Sequence, residues 1–423
     1  MKLRIKNVAK IKSAELTLNG ITVIAGNNNT GKSTVGKVIF AIFNSMVNID
    51  QRIDKQKQDL IYAMLLRKTE GTFVQDGVEY SASRVPLSRL NRMARELLIQ
   101  NEEQDEKGII RNILSRINDD IGEREQDIWE EVQKIKQLPR ERLIKSAVTT
   151  YFDAIFYSEI NNKNHKDEDA LLEAEIRNKN IRMIFRDNIC QELDQQIAIR
   201  NNAVYLDNPF ILDFLNDGAF NLNPIERIVV SKLRKIPDEV EDVVQINLME
   251  ERLKDVMQCI NKVSAGVMQQ DEAKAFCYKD DTIGEPLSVN NLSTGLKSFL
   301  IIKTLLKNGA LKEKDVLILD EPEIHLHPEW QMIYAEIIVL LQKTFDLTII
   351  LTTHSPHFLE ALQFFAQKYK IDDKCNYYLS KETENDCEIE DASCDIRKIY
   401  KQMVEPSIYL DKLKFKLEET EDE

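Results

Sequence analysis

Nothing in the 423 residues approaches the roughly 18 consecutive apolar residues that a membrane-spanning helix needs. The first residues, MKLRIKNVAKIKS, lack the apolar core of a secretory leader and read directly as a strand. Six cysteines stand at 190, 259, 277, 375, 387 and 394 without a C-x-x-C pair, and the five histidines fall at no metal-ligand spacing. A disulfide scaffold and a metal site are therefore not expected, and reduced thiols in a cytoplasmic protein are. An excess of basic charge is also missing, since 57 Lys and Arg stand against 71 Asp and Glu for a net charge of −14. Indiscriminate electrostatic binding to nucleic acid needs a basic face and is not expected. A local basic face is not excluded: RERLIK (140–145) and the basic residues of RIVVSKLRK (227–235) could line a groove, although the plainer reading is a solvated helix or strand face. The acidic tail EETEDE (418–423) reads as frayed.

What remains is a charge-rich chain with enough apolar residues, 43%, to bury a sizeable core. Glycine is scarce at 13 residues, yet two of them sit five apart in GNNNTGKS (26–33). That stretch fits G-x-x-x-x-G-K-[ST], a phosphate-cradling loop, provided a strand precedes it and a helix follows. ITVIAG (21–26) is a β-branched apolar run, and STVGKVIFAIF (33–43) has helical apolar spacing. Gly26 and Gly31 allow a tight backbone approach to an anion, while Asn27, Asn28 and Asn29 tolerate left-handed angles that turn successive N–H groups inward. Thr30 completes the loop and Thr34 continues into the helix. Lys32 is placed to reach the β- and γ-phosphates, and Ser33 to offer its hydroxyl to Mg²⁺ at a helix N-terminus.

Three further pieces lie in the carboxyl half. DVLILDEPEIHLHP (315–328) is an apolar strand of the kind buried on both faces of a parallel sheet, ending in two acids where such sheets place ligands. Asp320 is expected to hold the Mg²⁺ through its water shell and Glu321 to polarise an attacking water. LTIILTTHSPHF (347–358) is a second buried strand, with His354 at its end placed to touch a γ-phosphate and His357 read as a cap of the next helix. In NNLSTGLKSFLIIKTLL (290–306), Ser293 caps a helix whose start, with Gly295, is an anion site.

Between these pieces the texture changes. RLNRMARELLIQ (89–100), IIRNILSRINDDI (109–121) and IWEEVQKIKQLPRERLI (128–144) read as helices, with EKG (106–108) as a turn and a break at Pro139. No heptad is sustained, so a compact helical insertion is expected rather than a coiled-coil arm. EIRNKNIRMIF (175–185) and AVYLDNPF (203–210) return to strands. The division is then a core lobe over 1–46, a helical insertion over 47–175 and a second core lobe over 176–423.

Taken in chain order, GNNNTGKS, LSTGL, VLILDEP and TTHSP resemble the ABC-type ATPases. LSTGL departs from the common LSGGQ, with Thr294 in place of a glycine and Leu296 in place of the glutamine. EPEIHLHPEWQ (321–331), followed by a helix and TTHSP, is similar to the OLD-type and Septu-type bacterial ATPases, soluble relatives of the chromosome-maintenance and recombination ATPases. The resemblance implies an α/β P-loop NTPase fold, an ABC-type head with a mixed, largely parallel sheet interrupted by a mainly helical insertion. It implies ATP and Mg²⁺ as cofactors and a homodimer or higher even oligomer. In that dimer Ser293 and Gly295 of one copy close over the γ-phosphate held by Lys32, Ser33, Asp320, Glu321 and His354 of the other. The glutamine that links nucleotide binding to motion in this family is not located, and Gln75 is not assigned that role. About 65 residues follow TTHSP without a clustered acidic site, so the nuclease that follows the ATPase in OLD-type proteins is expected here as a separate effector subunit, in a bacterial anti-phage defence system. Two alternatives stay open: a recombination or repair ATPase that grips nucleic acid, and a weakly hydrolysing ATP-sensing scaffold. No membrane partner is expected.

Overall fold

The computed structural model describes residues 1–75, 78–115, 121–216, 222–235, 253–282 and 284–421. In chain order it opens with β1 (Lys2–Val8), β2 (Ile11–Thr17), β3 (Ile21–Gly26), α1 (Lys32–Met46) and α2 (Ile49–Thr69). The hairpin β4 (Glu70–Gln75) and β5 (Val78–Ser83) precedes α3 (Leu87–Ile99), α4 (Glu103–Leu114), α5 (Ile121–Lys136) and α6 (Arg140–Phe156). Strands return with β6 (Ala170–Ile176), β7 (Lys179–Arg186), β8 (Ile189–Gln195) and β9 (Ala203–Leu206), then α7 (Pro224–Leu233) and α8 through residues 253–261. A small sheet of β10 (Val267–Gln270), β11 (Phe276–Lys279) and β12 (Leu287–Ser288) leads to α9 (Thr294–Lys307) and β13 (Val316–Asp320). The chain continues through α10 (Pro328–Phe345), β14 (Thr348–Thr353), α11 (Pro356–Lys368), β15 (Cys375–Glu382), β16 (Cys387–Asp391) and α12 (Arg397–Glu421).

Eleven strands form one sheet in the order β8-β7-β6-β1-β2-β16-β15-β3-β14-β13-β9. Its composition follows local pattern. In β1, Leu3 and Ile5 alternate with exposed neighbours, as an antiparallel strand with one solvated face requires, and β1 pairs antiparallel with both β2 and β6. In β3, β13 and β14 the residues are mostly apolar and both faces are buried, and β15-β3-β14-β13-β9 are all parallel. Alternate residues of these strands serve opposite faces. Ile21, Val23, Leu317, Leu319, Ile349 and Leu351 pack into a core with Phe299 of α9, Val339 of α10 and Phe358 of α11. On the other face Tyr205 meets Phe40 of α1 edge to face, with ring centroids 6.1 Å apart. Burying a side chain of this size contributes about 1.5–3 kcal/mol.

The chain divides into a unit of Met1–Val47 with Tyr151–Glu423 and a second unit of Asn48–Thr150. The helical insertion expected over 47–175 thus ends earlier, because YF at 151–152 opens an apolar turn of α6 and β6 joins the large sheet beside β1. Within the second unit the core is Leu65, Leu90, Leu97, Ile110, Ile113 and Val132, and the unit also carries the β4–β5 hairpin. EKG is not a turn. It lies inside α4, where buried Glu106 accepts from Trp129 Nε1 at 2.7 Å and Gln133 Nε2 at 2.6 Å, and where Gly108 faces open space. That anchoring outweighs the roughly 1 kcal/mol by which glycine disfavours a helix. Residues 116–120 of the expected 109–121 helix lie outside the described residues. Through the acidic tail the backbone is helical as far as Glu421, and residues 422–423 lie outside the described residues.

Candidate functional site

Because β3, β14, β13 and β9 run parallel in aligned register, their carboxyl ends reach one edge of the sheet: Thr353 pairs with Ala25, Asp320 with Thr352, and Leu319 with Leu206. The loop from Gly26 to Gly31 leaves β3 at that edge and enters α1 directly. Gly26 has φ +150°, and a Cβ there would lie 2.5 Å from the carbonyl oxygen of Ser380, so no other residue fits. Asn29 takes the left-handed angle expected of this asparagine run, φ 62°, and Gly31 is the left-handed N-cap of α1. Thr30 is buried and its hydroxyl donates to the carbonyl of Asn27 at 2.8 Å. Behind the loop, the Ser380 hydroxyl donates to the carbonyl of Thr30, and Lys10 Nζ donates to that of Asn29 at 3.2 Å.

Lys32 is only 4% exposed, and its Nζ donates to the carbonyls of Gly26 at 3.0 Å and Asn27 at 2.8 Å. It also lies 3.3 Å from Glu321 Oε1. Ser33 Oγ donates to Asp320 Oδ1 at 3.1 Å. Loop, lysine, serine and both acids, read from separate stretches of sequence, therefore meet at one place.

Around Asp320 the structure adds two residues that sequence reasoning missed. Tyr205 Oη donates to Oδ2 at 2.7 Å and the Thr352 hydroxyl donates to Oδ1. Both belong to the α1 face of the sheet, where strand alternation also places Asp320. Glu321 has φ 48°, a left-handed angle costly for a non-glycine residue, held by its N–H donating to the hydroxyl and carbonyl of Thr352 at 2.9 and 3.2 Å. His354 Nδ1 stands 3.6 Å from Glu321 Oε1 and 3.7 Å from Oε1 of Glu323. Glu323, also missed, is 1% exposed, and burial pushes its carboxyl up from its ordinary range. The sequence signal for it was a third acid in DEPEIHLHP, and that for Tyr205 a lone aromatic in a buried strand. His357 does not cap α11. Ser355 does, its hydroxyl accepting from Phe358 N–H at 3.2 Å.

Ser293 caps α9, accepting from Leu296 N–H at 3.4 Å, and is exposed. Gly295 is buried against Trp330, where a Cβ would come within 2.9 Å of the ring. Among the described residues, no hydrogen bond or ion pair joins either residue to the 26–34 loop of the same chain. Of the basic residues in 227–235, Arg227, Lys232 and Arg234 each donate to backbone carbonyls, as braces rather than a groove lining. All six cysteines are free. Among the described residues no helix is long and apolar enough to cross a membrane, and no group of three or more His, Cys, Asp or Glu is arranged to hold a metal.

A glycine-bounded loop between a buried parallel strand and a helix, with lysine and serine at its exit and an acid pair on the adjoining strand edge, defines a P-loop NTPase of mixed α/β fold. The chain belongs to the AAA ATPase domain family, whose model matches residues 1–359. The matched family is one of ATPase domains. It is similar to the Septu protein PtuA of Bacillus thuringiensis, 36% identical over 103 residues, covering 20% of this chain and 25% of that protein. It is also similar to the retron Ec83 probable ATPase of Escherichia coli, 40% identical over 81 residues, covering 16% of this chain and 14% of that one. The chain thus matches a quarter or less of the length of these relatives. Among solved structures, the SMC head domain from Thermotoga maritima aligns over 92% of this chain and 97% of its own, at 12% identity and a TM-score of 0.38.

Proposed function

We propose that this chain is an ATP-hydrolysing subunit that pairs head to tail with a second copy around Mg-ATP and thereby controls a separate effector, a nuclease, in bacterial anti-phage defence. One observation carries the catalytic part: Lys32, Ser33, Asp320, Glu321 and His354 converge at one sheet edge, whereas among the described residues no polar contact joins Ser293 or Gly295 to that loop. The loop of residues 26–34 cradles the triphosphate, with backbone N–H groups and the dipole of α1 facing the negative charge. On binding, Lys32 exchanges its contacts with the Gly26 and Asn27 carbonyls for the β- and γ-phosphates. The α9 terminus of the second copy supplies donors from the opposite side, so neither copy alone neutralises the γ-phosphate.

The oxygen-only set of Ser33 Oγ and Asp320, 3.1 Å apart, fits Mg²⁺, which favours oxygen ligands and keeps several waters. When bound, Mg²⁺ neutralises phosphate charge. Glu321 orients the attacking water, and His354 stands beside it to contact the γ-phosphoryl group. Support for the defence role is the resemblance to Septu-type ATPases together with the local similarity to the Septu and retron proteins.

The test compares phosphate release and light-scattering mass, with and without Mg-ATP, for wild type and Glu321→Gln. The expected result is turnover in wild type only and an ATP-dependent doubling of mass that persists in the variant. Equal turnover in both would leave the sensing-scaffold reading instead, and an unchanged mass would remove the shared site.

A further inference from the structure

We infer that Glu323 is a positioning residue for ATP hydrolysis, fixing His354 through a closed hydrogen-bond circuit between the acidic loop and the histidine turn. This rests on the site reading proposed above. Glu323 lies two residues past Glu321 and is 1% exposed. Its Oε1 accepts from the Thr353 hydroxyl at 2.6 Å and from the backbone N–H of His354 at 3.1 Å. Thr353 Oγ1 in turn accepts from Ser355 N–H at 3.1 Å, and Ser355 Oγ donates to Gln331 Oε1 at 3.3 Å. Gln331 Nε2 donates to the carbonyls of Glu323 at 3.3 Å and Leu326 at 3.1 Å, which closes the circuit.

The donor directions are mutually consistent. The Thr353 hydrogen goes to Glu323, leaving a lone pair for Ser355 N–H, and the Ser355 hydrogen goes to Gln331. An oxygen that accepts from a side chain and from the backbone N–H of the histidine itself fixes both the strand end and the ring it carries. The same Oε1 lies 3.7 Å from His354 Nδ1, on the side where Glu321 Oε1 lies at 3.6 Å. Nδ1 is therefore turned toward two carboxyl groups, one buried and braced, the other at the reacting edge. The His354 side chain remains 42% exposed. Glu323 Oε2 has no hydrogen-bond partner among the described residues. A carboxylate kept buried with one oxygen unpartnered is costly for folding alone, which favours a role in setting the ring.

Steady-state ATP hydrolysis is measured for Glu323→Ala, Thr353→Val, Thr353→Ser, His354→Ala and the Glu323→Ala/His354→Ala double variant, with nucleotide binding measured separately. Glu323→Ala and Thr353→Val are expected to lower kcat about 10- to 100-fold, the range typical of groups behind a working histidine, with KM for ATP within about threefold of wild type. Thr353→Ser, which restores the hydroxyl, is expected to recover most of the loss. The double variant is expected to match His354→Ala within about twofold, since Glu323 acts through that ring. Wild-type kcat in Glu323→Ala, or a double variant that loses the full Glu323 factor again, overturns the inference. Should Glu323→Ala not fold, the Thr353→Val and Thr353→Ser pair decides by the same criterion, because the shape at 353 is kept. Failure of the site reading has a different signature: wild-type ATP affinity in Lys32→Ala.

Discussion

Tyr205 Oη and Asp320 Oδ2 lie 2.7 Å apart, although 115 residues separate them in the chain. Burial and the adjacent Asp320 carboxylate push the phenol well above its ordinary pKa, so Tyr205 remains a donor throughout the working pH range. Together with Ser33 Oγ and the Thr352 hydroxyl, it fixes the carboxylate expected to hold Mg²⁺.

Tyr205→Phe keeps the ring packed against Phe40 and removes only the hydroxyl. A hydrogen bond to a charged group is worth about 1.5–3 kcal/mol, so the Mg²⁺ concentration for half-maximal hydrolysis should rise about 10- to 100-fold. A Mg²⁺ titration of phosphate release at saturating ATP checks this. An unchanged midpoint would show that Asp320 is held adequately by Ser33 and Thr352.

Lys32→Ala should remove nucleotide binding. The ammonium is nearly enclosed, donating to two neutral carbonyls that a phosphate can replace and lying 3.3 Å from Glu321 Oε1. Titration with a fluorescent ATP analogue should show affinity at least tenfold weaker, consistent with loss of a charge-assisted contact in a sheltered site. The thermal midpoint should change little, because the fold of the loop is set by Gly26, Thr30 and Ser380.

Asp386 gives an acid-dependent prediction away from the site. Hydrogen bonds from Asn162, His165 and Asn164 hold its carboxyl at about 2, against burial acting in the opposite direction. A folded pKa below that of the free side chain means the ionised form is favoured by folding. Its contribution is complete above about pH 4 and is lost as pH falls toward 2. Asp386→Asn should lower the thermal midpoint at neutral pH, and the gap from wild type should narrow steadily below pH 4. A gap independent of pH would mean that charge plays no part.

The parallel half of the sheet was readable because its central strands are largely apolar runs, and the phosphate loop because its glycines, lysine and serine fall within one eight-residue stretch. Glu321 and His354 were readable because each ends such a run. Tyr205, Thr352 and Glu323 were not, since their partners come from neighbouring strands and only register brings them together. Charge-rich helices hid the end of the insertion: the apolar turn at 151–156 continues the same helix as RERLIK, and nothing local marks where it joins the larger unit. EKG misled because glycine and charge usually signal a turn, whereas here the decisive contacts are those that Trp129 and Gln133 of α5 make to the buried Glu106.

Gly295→Ala and Ser293→Arg separate a packing role from a shared-site role at the start of α9. A Cβ at 295 would lie 2.9 Å from Trp330 Cζ3 and 3.1 Å from the His325 carbonyl oxygen, so the helix terminus must shift or the ring must give way. Overpacking of this kind costs about 1–3 kcal/mol, and Gly295→Ala should lower both stability and hydrolysis. Ser293 is exposed, and an arginine there meets no such obstacle within the chain. Ser293→Arg loses one cap, worth about 0.5–2 kcal/mol, yet should retain ATP binding. If α9 of one copy closes over the γ-phosphate of another, that variant should neither assemble on ATP nor hydrolyse it. Mixing it with Lys32→Ala should then restore up to one competent site per heterodimer, seen as partial recovery of phosphate release. Full turnover by Ser293→Arg alone would place the whole reaction within a single chain.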